Sequence, residues 1–263
     1  MFQADKEVIH IVDHIRHYFA ANGTKDTKAI IGISGGKDST IAAALLVKAL
    51  GNDRVIGVMM PQGVQKDIED AKKVCEYLKI KNYTINIGYT CTVLYEDFMN
   101  SSDLNITEQI QTNTPARIRM SILYMVAAAV GGRVINTGNA SEFFVGYTTK
   151  YGDLAGDYAI LRDYYVTEVY EIGDALNLPH DLVHKDPADG MSGKTDEDNM
   201  GFTYKTLDNY LINGVTPPAD ALDNILKRHN RNKHKEAINL PHPRSLTRPY
   251  VRGAARNEFD FEF

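Results

Sequence analysis

From Val8 to Phe19 the apolar residues Val8, Ile11, Val12, Ile15 and Phe19 recur at three- and four-residue steps. That spacing predicts an amphipathic helix that closes near Asn22-Gly23. Ala29 to Ile33 is short, apolar and β-branched, the pattern of a buried strand, and the run SGGKDST turns from it into a helix over Ile41 to Leu50, closed by Gly51. A strand over Arg54 to Met60, a helix over Asp67 to Leu78 and a strand over Asn82 to Ile87 follow. Thr114 to Val130 reads as a long helix with Pro115 in its first turn, stopped by Gly131-Gly132 before a strand over Arg133 to Thr137. This alternation predicts an α/β fold, a doubly wound and mostly parallel sheet with helices on both faces.

Beyond Asn139 the hydrophobic period is lost. The stretch GYTTKYGDLAGDY is rich in Gly, Asp and Tyr and predicts a loop, and a loop of that length inside a compact domain is usually functional. Short helices are expected over Val166 to Leu176, Tyr204 to Leu211 and Pro217 to His229. No repeat, low-complexity tract or linker divides the chain, so residues 1–263 are expected to form a single domain.

Composition narrows the function. The chain of 263 residues carries 29 Lys+Arg against 34 Asp+Glu, a formal net charge of −5, so no general electrostatic pull draws it to nucleic acid or an anionic membrane. The apolar stretch Met120 to Val130 is about half the roughly 20 residues that span a bilayer. Two cysteines, Cys75 and Cys91, cannot build a disulfide scaffold, and free thiols fit a reducing compartment, so a cytoplasmic location is expected.

The candidate chemistry begins at the turn after the first strand. In Ser34-Gly35-Gly36-Lys37-Asp38-Ser39-Thr40 a glycine pair lets the backbone aim successive N–H groups at an anion, which predicts a phosphate site. The usual mononucleotide loop G-x-x-x-x-G-K-[ST] does not fit, because Gly32 to Gly36 leaves three intervening residues and Lys37 is followed by Asp38. An acidic residue beside bound phosphate repels it, and becomes useful when Mg²⁺ bridges the two.

SGGKDS after a first strand resembles the pyrophosphatase loop of the adenine nucleotide α-hydrolase-like enzymes. Those enzymes cleave ATP between its α and β phosphates. A second stretch narrows the resemblance: Asn136-Thr137-Gly138-Asn139-Ala140-Ser141-Glu142, then Gly146-Tyr147-Thr148-Thr149-Lys150-Tyr151-Gly152-Asp153, is similar to the corresponding run of NAD synthetases. Ala116 to Met120 and Thr195 to Gly201 match as well, so the likeness covers about residues 1 to 235.

The resemblance implies a Rossmann-like sheet of the adenine nucleotide α-hydrolase type. It implies ATP-dependent amidation of nicotinate adenine dinucleotide to NAD through an adenylated carboxylate, with AMP and pyrophosphate released. Gly32, Ile33, Ser34, Gly35, Gly36, Lys37, Asp38 and Ser39 are then expected to hold ATP, together with Gln65, Thr137 and Lys185. Asp38 and Glu142 match the Mg²⁺ ligands and carry the catalytic expectation, although Glu142 by itself is an ordinary helix-start carboxylate behind Asn139. Arg117, Lys150, Asp157, His234 and Lys235 match the positions that hold the dinucleotide.

Two positions depart from the family: Val166 stands where a phosphate-binding lysine is common, and Ala188 where Ser or Thr is usual. Another base is then needed beside the triphosphate, with Lys185 first, Lys194 next and Lys37 also a candidate. The synthetase motif begins within the first 40 residues, which leaves no preceding glutaminase domain, so ammonia is the expected nitrogen donor. The family further implies a homodimer, with Thr114 to Val130 and its Ala127, Ala128 and Ala129 at the interface. Two other readings compete: another AMP-forming ligase of the same superfamily with a different acid, and a nucleotide-binding sensor without turnover.

Overall fold

The computed structural model describes residues 2–65, 68–184, 195–235 and 246. In chain order the elements are α1 (Ala4–Ala21), β1 (Lys28–Gly32), α2 (Lys37–Leu50), β2 (Val55–Met59), α3 (Ile68–Leu78), β3 (Lys81–Thr84), α4 (Gly88–Ser101) and α5 (Glu108–Val130). They continue with β4 (Gly132–Asn136), α6 (Ala140–Val145), β5 (Tyr158–Ala159), α7 (Val166–Ala175), α8 (His180–Val183), α9 (Asp196–Met200), α10 (Tyr204–Asn213) and α11 (Ala219–Asn232).

The strands form one sheet in the order β3-β2-β1-β4-β5, and every pairing in it is parallel. The register sets Ala29 against Val55, Lys28 against Gly132 and Ile135 against Tyr158. Successive strand side chains point to opposite faces, and the core divides accordingly. Ala29, Ile31, Val55, Met59 and Ile135 pack in one cluster with α1, α2, α3, α7 and α8, whereas Ile30, Ile56, Val58 and Val134 pack with Met120, Leu123 and Ala127 of α5. The near-continuous apolar strands of the sequence follow from this double cover. A third cluster, around Val145, Val166, Met200, Phe202, Leu207 and Ile225, joins α6, α7, α9, α10 and α11 beside the sheet.

Three local readings need correction. The long helix begins at Glu108, not Thr114, so Pro115 lies in its interior. Pro115 removes one intrahelical bond, yet the turns before it persist because the Thr107 hydroxyl accepts from the Ile110 N–H at 3.3 Å as an N-cap. Helix α4 was not expected, since it buries Cys91 while Tyr89, Leu94 and Met99 stay exposed, which leaves no apolar stripe to read. The Gly-rich loop ends in the two-residue strand β5, whose place is set by pairing with β4. No helix among the described residues is long and apolar enough to cross a membrane. Cys75 and Cys91 are both free and buried.

Candidate active site

Chain order along the sheet reverses between β1 and β4. In open α/β sheets the crevice outside the carboxyl ends of the strands at such a point is where ligands bind. Here it is a cleft of about 760 Å³.

One wall is the turn leaving β1. Gly35 has φ +82°, and a Cβ there would lie 2.9 Å from the Ala71 backbone nitrogen, so the turn needs glycine for both conformation and space. Two hydroxyls brace it. Ser39 Oγ accepts from the Ser34 N–H at 3.3 Å and donates to the Gly36 carbonyl at 3.1 Å, and Ser34 Oγ accepts from the Gly36 N–H at 3.2 Å. The first N–H groups of α2 are left without intrahelical acceptors, at a helix start that lines the cleft.

The opposite wall follows β4. Asn139 caps α6: its side chain accepts from the Glu142 N–H at 3.0 Å, and Glu142 Oε2 accepts from the Asn139 N–H at 3.2 Å. The Asn139 Nδ2 amide also donates to Asp38 Oδ1 at 3.1 Å, and the other Asp38 oxygen takes the Lys37 ammonium at 2.7 Å. The Lys37 and Asp38 side chains are only 11% and 18% exposed. One asparagine thus joins the two walls and touches both expected metal-binding residues.

The electrostatics of this cluster are unbalanced. Burial opposes charge on Lys37, but Asp38 and then Glu142 outweigh it and hold the ammonium above its ordinary pKa. Desolvation first, then the Asp38 charge, push the Glu142 carboxyl well above the usual carboxylate range, with Lys37 only partly opposing them. Two hard carboxylates against one ammonium is a donor set short of positive charge, and it suits a divalent cation. Mg²⁺ commonly takes only one or two carboxylates and completes its shell with water and phosphate oxygens. The residues present therefore fit Mg²⁺, although no larger cluster of His, Cys, Asp and Glu occurs among the described residues.

The expected residues differ in place, and Glu142, held behind its Asn139 cap, is not among those that line the cleft. Gly32 to Ser39, Gln65, Thr137 and Lys235 line the cleft. Gln65 Oε1 accepts from the Gln62 N–H at 2.9 Å. Burial lowers the pKa of Lys235, whose ammonium donates to the Gly146 carbonyl at 2.7 Å.

Arg117, Lys150 and His234 form an exposed chain outside that lining, in which Arg117 Nε donates to the Lys150 carbonyl at 3.2 Å and Lys150 Nζ to the His234 carbonyl at 2.9 Å. Asp157 is apart from the cleft and accepts the Val134 N–H of β4 at 2.7 Å and the Tyr124 hydroxyl at 3.2 Å. Val166 is 3% exposed, in the third core cluster, with its N–H donated to Ser141 Oγ at 3.0 Å. Lys185, Lys194 and Ala188 lie outside the described residues.

Several lining groups had no assigned role. Arg119 of α5 lines the cleft and donates from Nε to the Met60 carbonyl at 3.0 Å, at the end of β2. Asn136 Nδ2 bridges the Asp153 and Ala155 carbonyls at 2.7 and 2.9 Å. Arg119, Asn136 and Asp153 all stand inside the matched motifs, and only their burial and partners separate them from neighbouring polar residues.

A glycine turn at a sheet's switch point, faced by a lysine and paired carboxylates, defines an open α/β protein built to hold nucleotide phosphates. The chain belongs to the NAD synthase family, whose family model matches residues 7–241. It is 44% identical over 183 residues to the NH(3)-dependent NAD(+) synthetase of Pyrococcus furiosus, covering 69% of this chain and 70% of that protein. Among solved structures it resembles NMN synthetase from Francisella tularensis, with a TM-score of 0.81, 34% identity and coverage of 91% of this chain and 98% of that one. The NH3-dependent NAD synthetase of Campylobacter jejuni superposes with a TM-score of 0.71 at 28% identity, over 91% of this chain and 98% of that one.

Proposed function

We propose that the chain is an ammonia-dependent NAD synthetase. The observation that carries this reading is the joining of Asp38 to Asn139, the cap residue of Glu142, across the switch-point cleft of an NAD synthase family member. A free carboxylate is too poor an electrophile for direct amidation. Its oxygen attacks the α-phosphorus of ATP, the α–β bridging P–O bond breaks, and pyrophosphate leaves with the electron pair. Ammonia then attacks the acyl carbon, the C–N bond forms, the bond to AMP breaks, and the nitrogen sheds a proton to solvent.

Each residue has a task in this scheme. The Gly35-Gly36 turn and the start of α2 present N–H groups to the departing phosphates, and Lys37 adds a fixed positive charge. For the cation absent at Val166, Lys185 and then Lys194 remain candidates, and among the described residues Lys37 lies beside Asp38, with its ammonium 5.7 Å from the ring centre of Tyr170, a turn beyond Val166 on α7. Asp38 and Glu142 would hold Mg²⁺, which when bound neutralises charge on the phosphates. Gln65 and Thr137 serve the nucleotide. Arg117, Lys150, Asp157, His234 and Lys235 serve the dinucleotide acid, as a guanidinium and ammonium groups suit its phosphates and carboxylate.

Pyrophosphate release with and without nicotinate adenine dinucleotide and ammonium tests the proposal. Release and NAD formation in equal amounts, only with both present, is the expected result. Stimulation by a different acid alone would make the chain another AMP-forming ligase, and ATP binding without turnover would make it a sensor. The name of the Francisella tularensis relative favours one further reading, in which the acid is the mononucleotide, so nicotinate mononucleotide belongs in the same assay.

Arg117→Ala is expected to raise the Michaelis constant for the dinucleotide acid about tenfold, the loss of a charged hydrogen bond, while leaving that for ATP unchanged. An equal rise for both substrates would remove Arg117 from the acid's site.

Homodimer formation is part of the proposal. On α5, Ala127 packs into the core, but Ala128 and Ala129 face outward with Tyr124 at 39% and Met125 at 69% exposure, which supports an outer apolar face. Light scattering is expected to give twice the chain mass, and a monomer mass unaffected by ligand would exclude that interface.

A further inference from the structure

Tyr204 is the first residue of α10 and is 4% exposed. Its hydroxyl is buried and has no hydrogen-bond partner among the described residues. Buried polar groups in native proteins are almost always paired, and one that is not calls for a reason. The surroundings supply one. The ring centre is 5.8 Å from the Lys37 ammonium. Glu142, Asp196, Asp38 and Tyr147 are its electrostatic neighbours. Asp38, Tyr147 and Asp196 line the cleft, whereas Tyr204 is covered and is not part of that lining, so a ligand meets its hydroxyl only where these neighbours give way.

Its position is held from several sides. The Tyr204 N–H donates to Glu197 Oε1 at 2.8 Å, and Thr203 caps the helix through its hydroxyl at 3.1 Å from the Thr206 nitrogen. Asp208, one turn on along the same face, accepts from Ser141 Oγ at 2.6 Å and from the Thr167 N–H at 2.8 Å, which ties α10 to α6 and to the start of α7. The ring therefore stays against Lys37. Burial first, then Glu142, Asp196 and Asp38, push the phenol's pKa up, so the hydroxyl keeps its proton and remains a donor.

Beside it, the Lys37 ammonium makes one hydrogen bond among the described residues, to Asp38, out of three it can donate. Two neighbouring donors with unused capacity complement a group that carries several acceptor oxygens, and a phosphate is that group. Given that the cleft binds ATP, as the proposed function requires, we propose that the Tyr204 hydroxyl is a further ligand-binding group that donates a hydrogen bond to an oxygen of the triphosphate and of the released pyrophosphate. Lys37 and Tyr204 then grip the same phosphates from adjacent positions, one by charge and one by direction.

Tyr204→Phe separates this role from a structural one, because it keeps the ring against Lys37 and removes only the O–H. In the absence of ligand the variant is expected to melt at the parent's temperature or above, since no hydrogen bond to a described residue is lost. Calorimetric affinity for pyrophosphate and for ATP, each with Mg²⁺ and without acid or ammonium, is expected to fall about tenfold, the loss of one hydrogen bond to a charged group. The Michaelis constant for the acid should not move.

Unchanged affinity for both phosphates would overturn the proposal. So would a marked drop in the ligand-free melting temperature, which would show that the hydroxyl serves an internal partner such as a buried water. Because these titrations omit the acid, a parent that binds ATP but makes no NAD would count against the proposed reaction and leave the Tyr204 comparison decisive. A parent that binds neither phosphate would overturn both.

Discussion

An Asp38→Asn variant is expected to fold as the parent does and to lose about 100-fold or more in turnover, the scale of removing a charged group that stabilises a reacting centre. The carboxylate has two partners on opposite sides, the Lys37 ammonium at 2.7 Å and the Asn139 amide at 3.1 Å, and both are donors. An amide of the same shape has one acceptor oxygen, so whichever partner it satisfies, its NH₂ is turned toward the other. The Lys37 ammonium loses either its anchor or its alignment, and the site loses a negative charge that a divalent cation needs. The fold should tolerate this. Asp38 lines the cleft, and neutralising it relieves repulsion from Glu142. Pyrophosphate release across a Mg²⁺ titration, with circular dichroism for the fold, measures both parts. Near-parental rates at saturating Mg²⁺ would reduce Asp38 to a helix-start residue.

Gly35→Ala should be nearly as damaging for a different reason. An L-residue held at φ +82° carries about 1–2 kcal/mol of conformational strain. Its Cβ would also stand 2.9 Å from the Ala71 nitrogen and 3.0 Å from Asp70 Cβ, where backbone cannot give way. Either φ turns negative, which swings Gly36 and the start of α2, or α3 withdraws from the loop. Both outcomes misdirect the N–H groups that line the cleft, and displacements of about 1 Å at a reacting centre cost on the order of 100-fold in rate. Gly36→Ala is the matched control. Its backbone is extended at φ −81°, and its Cβ would meet only Ser34 Oγ at 3.3 Å, a side chain that can rotate. A parental Michaelis constant for ATP in Gly35→Ala, or a larger defect in Gly36→Ala, would show that the loop's conformation is not what binds phosphate.

The strands and helices that enclose the site were legible because double burial imposes patterns that survive in one dimension. Ala29 to Ile33 and Arg54 to Met60 read as apolar runs since α-helices cover both faces of β1 and β2. Helix α1 read as a stripe because one of its faces is buried. Elements without such a constraint did not announce themselves. Helix α4 keeps Tyr89, Leu94 and Met99 exposed, and β5 is only two residues long, so its existence depends on the strand beside it. Pro115 misled for a related reason: a proline marks a helix start on average, whereas here the Thr107 cap, eight residues upstream, decides where α5 begins.

The site divides along the same line. By itself the sequence determined the chemical inventory and its local geometry: a glycine turn between strand and helix, a lysine and an acid after it, and an Asn-x-x-Glu cap after another strand. These follow from short-range rules of backbone conformation and capping, which act within a few residues. Only the tertiary structure decided that Asn139 reaches Asp38 across 101 positions, that Lys37 is enclosed by Tyr170 and Tyr204, and that Arg119 faces the cleft while Arg117 does not. Burial and pairing depend on which surfaces meet when the sheet order reverses between β1 and β4. That meeting is a property of the packed whole, and a hydroxyl such as that of Tyr204 gains its significance only from the side chains that packing sets around it.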